Sequence, residues 1–160
     1  MILVVCGPPG AGKTTVATRL QSRLAAHGRA FEMLDSDEFT RHAYDRMYER
    51  VADSEGDWIV AGTFYKRHFQ EQFASLDDVV FVYLDADLET CLERNRRRAD
   101  PIAERAVHIV WHEFDQLDAD VSVDVNERSP EAVVDDVWAS LADLRTDWPH
   151  PGSEDAGASE

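Results

Sequence analysis

The residues that most constrain the fold lie at the start of the chain, where an apolar run leads into a glycine-rich turn. Residues 2–5 are typical of a buried parallel strand. The turn fits the spacing G-x-x-x-x-G-K-[ST], and residues 13–26 have helical apolar spacing. In such a turn, backbone N–H groups and a helix N-terminus surround phosphates, which the lysine also reaches. We therefore predict a phosphate-binding loop that consists of Gly7, Pro8, Pro9, Gly10, Ala11, Gly12, Lys13, Thr14 and Thr15.

The rest of the chain alternates between strand-like and helix-like segments. Strands are predicted at residues 2–5, 31–34, 58–61, 79–84 and 121–125. Helices are predicted at residues 13–26, from 37 or 38 to about 53, and at 65–75, 88–98, 101–114 and 130–144. This order predicts an α/β fold with three layers, α/β/α, around a five-stranded, mostly parallel sheet. Ligands of such sheets bind beyond the carboxyl ends of the strands.

Two acidic residues follow the second predicted strand. Asp35 and Asp37 are expected beside the phosphate loop, at the same edge of the sheet. A carboxylate at this place can accept the proton of an attacking hydroxyl or hold Mg²⁺ through water. Arg41, on the following predicted helix, is suited to bind an anionic substrate group through paired hydrogen bonds. The alternative interpretation is that this segment only caps a helix, since Asp and Ser are favoured caps.

Residues 1–145 resemble the small P-loop kinases of the nucleoside-monophosphate-kinase-like fold. Residues 34–41 are similar to the L-D-G-D-x-x-R stretch of adenylylsulfate kinases, with Ser36 for glycine and one extra residue before Arg41. They also resemble the S-D-x-x-R stretch of polynucleotide and seryl-tRNA kinases, which contains Asp37 but not Asp35. The resemblance implies ATP as the phosphoryl donor, with Mg²⁺ bound by Thr14 and Asp37. It also implies catalytic roles for Lys13, Asp35 and Asp37, and Asp37 is the stronger candidate of the two acids.

The end of the third predicted strand differs from one of these patterns. Polynucleotide and seryl-tRNA kinase-like proteins have roughly D-G-T-N at this place, and here Ala61 replaces the aspartate. This departure moves the expected metal-organising role to Asp35 and Asp37. Thr63 and Tyr65 are expected to bind the phosphoryl acceptor, although Tyr65 is also compatible with a core position.

Four arginines occur within residues 94–98, the only dense basic stretch in the chain. Such charges repel one another unless anions or nearby acids offset them. In the kinases that the chain resembles, a mobile lid, here at about residues 95–106, brings arginines over the phosphates. The resemblance therefore implies catalytic roles for Arg94 and Arg98. The alternative is a solvated helix end whose arginines pair with acids, namely Glu93, Asp100 and Glu104.

The composition excludes several classes of partner. The net charge is −16, and the 16 basic residues comprise 14 arginines and 2 lysines. Such a surface repels nucleic-acid phosphates and anionic lipid, so neither a broad nucleic-acid surface nor a membrane partner is expected. Two cysteines are too few for a disulfide framework, and a cytoplasmic protein is expected. An acidic, lysine-poor surface is also typical of proteins from salt-loving organisms, where salt screens self-repulsion.

These observations predict one kinase domain over residues 1–147 and a disordered acidic tail over residues 148–160. The expected activity is ATP- and Mg²⁺-dependent transfer of the γ-phosphoryl group to a hydroxyl of a small anionic acceptor. Adenylylsulfate is the first choice for this acceptor, and a polynucleotide end or seryl-tRNA is the alternative. A different class, a nucleotide-binding switch with little phosphotransfer, is supported by the alanine at position 61.

Overall fold

The computed structural model describes residues 1–149, and its central element is a five-stranded sheet. The strands are β1 (Ile2–Cys6), β2 (Phe31–Asp35), β3 (Asp57–Gly62), β4 (Val79–Asp85) and β5 (Val121–Asp124). They lie in the order β2-β3-β1-β4-β5, and every neighbouring pair is parallel. The predicted fold class is confirmed, with a sheet that is parallel throughout rather than mostly parallel.

Within residues 1–149, six α-helices cover both faces of the sheet. They are α1 (Lys13–Ala26), α2 (Ala43–Ala52), α3 (Arg67–Ala74), α4 (Leu88–Arg96), α5 (Glu104–His112) and α6 (Pro130–Leu144). One apolar cluster includes Leu20 of α1 and Trp138 of α6, and the opposite cluster includes Met47 of α2 and Phe73 of α3. Helices α1 and α6 have the predicted bounds, and the other elements differ by one residue or more.

The predicted start of the second helix, at residue 37 or 38, is wrong. Ser36–Glu38 form a single 3₁₀ turn instead, and α2 begins only at Ala43. The Asp35 carboxylate caps this turn by accepting a hydrogen bond from the Asp37 N–H. Phe39 then takes an extended conformation, and His42 has a positive φ of 52°, so the chain leaves the helical path twice before α2.

The predicted start of the fifth helix, at Pro101, is also wrong. Helix α4 ends at Arg96 and α5 begins at Glu104, which leaves residues 97–103 as a connection, called here the α4–α5 loop. Ala103 has a ψ of 134°, which is outside the helical range. The preceding residue, Ile102, has both of its backbone polar groups bonded to the Asn95 side chain rather than to a helix.

The end of the described chain packs against the domain. Trp148, the first residue of the predicted tail, is buried, and its ring centroid lies 5.0 Å from that of Trp138. Residues 150–160 of the predicted tail lie outside the described residues. Among residues 1–149, no helix is both long enough and apolar enough to span a bilayer.

Candidate active site

The carboxyl ends of β1, β2 and β3 open into a cleft of about 880 Å³. Helix α1 begins at its floor, and the α4–α5 loop borders one side. Most of the predicted site residues line this cleft, namely Pro9, Gly10, Gly12, Lys13, Thr14, Thr15, Asp35, Asp37, Thr63, Arg94 and Arg98. The structure therefore brings together groups that are far apart in the sequence, such as Gly10 and Arg94, which are separated by 84 positions.

The phosphate loop rests directly on α4. Gly10 has a φ of 86°, and a Cβ atom added there would lie 2.7 Å from the carbonyl oxygen of Cys91. Only glycine fits this contact and this conformation without strain. The turn of the loop is therefore fixed against a helix that the glycine-rich motif does not include.

Arg94 donates hydrogen bonds to the backbone of the phosphate loop. Its guanidinium donates hydrogen bonds to the carbonyl oxygens of Gly10 at 3.4 Å, Ala11 at 3.2 Å and Val125 at 2.9 Å. These contacts connect the loop to the residue that follows β5. Because both ends of the guanidinium are engaged by backbone carbonyls, Arg94 supports the loop, and its predicted catalytic role stays a prediction.

Lys13 points back onto its own loop. Its Nζ donates a hydrogen bond to the Pro8 carbonyl oxygen at 2.9 Å. Burial lowers the pKa of Lys13 from 10.5 to about 8, and the nearby Asp37 carboxylate offsets part of this effect. The ammonium group is therefore charged at neutral pH, next to the backbone that would surround an anion.

Asp35 joins the phosphate loop to the end of β2. Its Oδ2 accepts a hydrogen bond from the Thr14 hydroxyl at 2.5 Å, and its Oδ1 accepts one from the Asp37 N–H at 2.9 Å. The side chain is buried, with 7% of the residue exposed. Asp35 therefore caps a 3₁₀ turn rather than a helix, and the same carboxylate also contacts the loop threonine.

Asp35 also lies opposite the alanine that departs from the family pattern. In the parallel pairing of β2 with β3, Asp35 is the register partner of Ala61. Neighbouring strands lie about 4.8 Å apart. Asp35 therefore places a carboxylate on the strand next to position 61, where the resembled proteins have an aspartate and this chain has an alanine. Asp37, in contrast, is exposed at the cleft and has no ion pair within the described residues.

The end of β3 is organised by a tyrosine that the sequence did not point to. The Tyr44 hydroxyl lies 3.0 Å from the Thr63 hydroxyl and accepts a hydrogen bond from the Phe64 N–H at 3.1 Å. Burial raises the pKa of Tyr44, so this hydroxyl stays protonated. Phe64 has a positive φ of 52°, which is unusual for an aromatic residue. No feature of the sequence distinguishes Tyr44 from Tyr48 on the same helix.

Two predicted substrate-binding residues do not line the cleft. Arg41 is exposed in the segment before α2, and Tyr65 is half-buried, with the Lys66 Nζ 5.0 Å from its ring centroid. The Tyr65 carbonyl oxygen accepts a hydrogen bond from the Asp115 N–H at 2.7 Å. The substrate roles of these two residues stay predictions, whereas Thr63 reaches the cleft wall.

Two of the remaining arginines of the basic stretch lie near acidic side chains, and the third lines the cleft. Arg96 pairs with Glu104 at 2.5 Å, and Arg97 lies 3.8 Å from Glu93. The solvated-helix alternative therefore applies to these two side chains. Arg98 lines the cleft and, within residues 1–149, forms no ion pair.

The side-chain oxygen atoms in the cleft are of the kind that coordinates a magnesium ion bound together with a nucleotide. Within the part of the chain that the structure describes, no cluster of three His, Cys, Asp or Glu side chains could hold a resident metal. Mg²⁺ in nucleotide sites usually needs only one or two protein ligands, because phosphates and waters complete its octahedron. The adjacent Thr14 hydroxyl and Asp35 carboxylate are ligands of this kind.

One curated relative of this chain is named as a kinase. A probable adenylyl-sulfate kinase of Pseudomonas aeruginosa is 31% identical over 112 residues, which cover 59% of this chain and 52% of the relative. The chain thus spans about half the length of this curated relative.

Solved structures match over nearly the whole chain. A gluconokinase from Sinorhizobium meliloti 1021 has a TM-score of 0.73 at 18% identity, covering 89% of this chain and 91% of that one. The Mycobacterium tuberculosis APS kinase in complex with AMPPNP and APS has a TM-score of 0.71 at 17% identity, covering 88% and 96%. The shikimate kinase of Aquifex aeolicus vf5 has a TM-score of 0.63 at 22% identity, covering 90% and 98%. These likenesses show the fold of small P-loop kinases.

A family model extends the comparison to the motif-bearing part of the chain. The model described as "AAA domain" matches residues 3–110, which include the phosphate loop, both acids of the 3₁₀ turn region and the basic stretch. Since this match covers more than half of the 160 residues, the chain belongs to the AAA domain family. Its fold is that of the small P-loop kinases.

Proposed function

We propose that this protein is an ATP-dependent kinase that transfers the γ-phosphoryl group to a hydroxyl of a small acceptor. The observation that carries the proposal is the convergence of Lys13, Thr14, Asp35, Asp37 and Arg98 on one cleft. Phosphoryl transfer needs little covalent chemistry from the protein, and depends on positioning and on stabilising the charge of the transferred group. This set supplies cations, metal-binding oxygens and a free carboxylate for those tasks.

The donor side of the cleft is proposed to bind ATP with Mg²⁺. The loop N–H groups and the start of α1 would surround the phosphates, and Lys13 would exchange its contact with Pro8 for a phosphate oxygen. Thr14 and Asp35 would hold the ion, which neutralises phosphate charge when bound. Arg98 would contribute a second positive charge from the α4–α5 loop.

The two acids are proposed to have different roles. Asp35 is buried and engaged by Thr14 and by the Asp37 N–H, so it is suited to the metal side. Asp37 is exposed to the cleft, so its carboxylate is free to accept a proton. In the proposed step the acceptor hydroxyl gives its proton to Asp37, its oxygen bonds to the γ-phosphorus, and the bond to the ADP oxygen breaks.

Adenylylsulfate is the acceptor that we propose first, because the Pseudomonas relative is named for that activity. A net charge of −16 disfavours a polynucleotide or tRNA acceptor, since such substrates need a broad basic surface. The switch alternative is disfavoured by Asp35, which supplies a carboxylate beside Ala61. We further propose that the enzyme works in the cytoplasm and that its acidic surface is adapted to high salt.

The test is acceptor-dependent release of ADP with Mg²⁺ and a panel of adenylylsulfate, gluconate, shikimate, nucleosides and 5′-hydroxyl RNA. The proposal expects one small acceptor to accelerate ADP release and to gain one phosphate by mass spectrometry. Lys13→Met should abolish this turnover, whereas Lys66→Met, at the chain's only other lysine and outside the cleft, should retain it. Phosphorylation of RNA alone would favour the polynucleotide alternative. Tight nucleotide binding without any acceptor effect would favour the switch.

A further inference from the structure

Asn95 is a buried polar residue near the end of α4 that the sequence analysis did not single out. Only 2% of the residue is exposed. Its side-chain nitrogen donates a hydrogen bond to the Ile102 carbonyl oxygen at 2.8 Å, and its side-chain oxygen accepts one from the Ile102 N–H at 3.1 Å. One amide group therefore satisfies both backbone groups of a residue seven positions ahead.

These two bonds close the α4–α5 loop at its base. At the other end of the same loop, the Arg98 N–H donates to the Asn95 carbonyl oxygen at 3.2 Å. Arg98 and Ile102 are thus the two residues of the loop that are attached to Asn95, and both line the cleft. The backbone at Arg98 is thus held against the end of α4 by a closed ring of backbone and amide contacts.

The other link across this loop is far more exposed. The Arg96–Glu104 ion pair joins α4 to α5 at 2.5 Å, but its side chains are 59% and 49% exposed. Exposed ion pairs contribute little to stability because water and salt screen them. The Asn95 amide is buried and makes two hydrogen bonds to one backbone residue, so it is the stronger constraint.

We propose that Asn95 is a positioning residue that holds the α4–α5 loop closed, so that the Arg98 guanidinium stays over the phosphate-binding cleft. The inference rests on the proposed function in that the anion met by Arg98 is the terminal phosphate of the bound nucleotide. Asparagine suits this place because its amide both donates and accepts. An aspartate of the same shape only accepts when ionised, so it would lose the bond to the Ile102 carbonyl.

Limited trypsin digestion tests the closure without any nucleotide, because the loop contains cleavable arginines. Asn95→Ala and Asn95→Asp should accelerate cleavage after residues 96–98 by about tenfold, as expected for loss of a buried polar contact. Glu104→Gln is the matched control, since it breaks the exposed ion pair and keeps every trypsin site. It should change the rate by less than about twofold. Wild-type cleavage rates in both Asn95 variants would overturn the proposal, and thermal unfolding of each variant identifies any global loss of fold.

A double-mutant cycle tests whether Asn95 acts through Arg98. Asn95→Ala and Arg98→Ala should each weaken Mg²⁺-ATP binding by about tenfold, and the double variant should bind no worse than Arg98→Ala alone. A double variant whose loss of affinity equals the product of the two single losses would overturn the proposal, because Asn95 would then act independently of Arg98. Wild-type protein that binds no Mg²⁺-ATP would contradict the proposed function instead, and the digestion would then decide the loop closure by itself.

Discussion

The Thr14 hydroxyl donates a hydrogen bond to the Asp35 carboxylate at 2.5 Å, which links the first turn of α1 to the end of β2. The contact joins the last residue of the phosphate-loop motif to an acid 21 positions away. Because Asp35 is also the register partner of Ala61, the pair places a hydroxyl and a carboxylate side by side next to the strand end that lacks an acid.

Asp35→Asn should reduce both stability and metal use. The buried carboxylate accepts from Thr14 and from the Asp37 N–H, and an amide cannot replace its charge in either bond. We expect a loss of about 1–3 kcal/mol in the free energy of unfolding, measured by urea denaturation. The Mg²⁺ concentration that half-saturates ATP turnover should rise. Glu32→Gln, at an exposed position on the same strand, is the control and should change neither quantity. An unchanged Mg²⁺ requirement in Asp35→Asn would remove Asp35 from the metal side.

Nucleotide affinity should decline above pH 8. The pKa of Lys13 is lowered to about 8 by burial, so the free protein loses this charge as the pH rises through that value. Bound phosphates favour the charged form, and binding therefore takes up a proton above pH 8. The Kd of ADP, measured by titration calorimetry, should rise by up to about tenfold per pH unit between pH 8 and 10. In Lys13→Arg, whose side chain keeps its charge, the Kd should stay level over this range. A level profile in the wild type would contradict the assignment.

Tyr44→Phe should weaken acceptor binding more than ATP binding. The variant removes the hydroxyl that contacts Thr63 and accepts from the Phe64 N–H, next to a residue with positive φ. Leaving this N–H without a partner should cost about 1–3 kcal/mol of stability. Steady-state kinetics should show a higher KM for the acceptor and a nearly constant KM for ATP. Tyr48→Phe is the control, because within the described residues the Tyr48 hydroxyl makes no hydrogen bond. Equal effects of the two variants would assign Tyr44 to packing alone.

Salt should stabilise the fold. With a net charge of −16, the acidic surface repels itself, and the screening length falls from about 10 Å at 0.1 M salt to about 3 Å at 1 M. The thermal midpoint should therefore rise between these KCl concentrations, by roughly 2–4 °C for each kcal/mol of repulsion removed. A midpoint that stays constant or falls would argue against adaptation of this surface to high salt.

The sequence predicted the features that depend on local pattern. The strand-like runs, the phosphate loop and the bounds of α1 and α6 follow from apolar spacing and from glycine and proline positions, and the structure agrees. The acids at positions 35 and 37 were found because they follow a strand at the edge where ligands bind.

The features that depend on long-range contacts were not predictable. Helix α2 starts late because Asp35 caps the 3₁₀ turn, and α5 starts late because Asn95 holds Ile102 out of the helix. The sequence also did not predict that backbone carbonyls of Gly10, Ala11 and Val125 engage the Arg94 guanidinium, whose catalytic role stays a prediction. Each of these outcomes depends on which side chain meets which backbone group, and spacing along the chain does not carry that information.

The most direct test of the central claim is the turnover of Asp37→Asn with the acceptor that the panel identifies. Asp37 is exposed to the cleft and contributes only its backbone N–H to the hydrogen bonds of Asp35, so the variant should keep its stability. Loss of a general base should lower kcat by at least about 100-fold. Asp53→Asn, at the exposed end of α2, is the control and should turn over at the wild-type rate. Undiminished kcat in Asp37→Asn would contradict the assignment of this carboxylate as the base of a phosphoryl-transfer site.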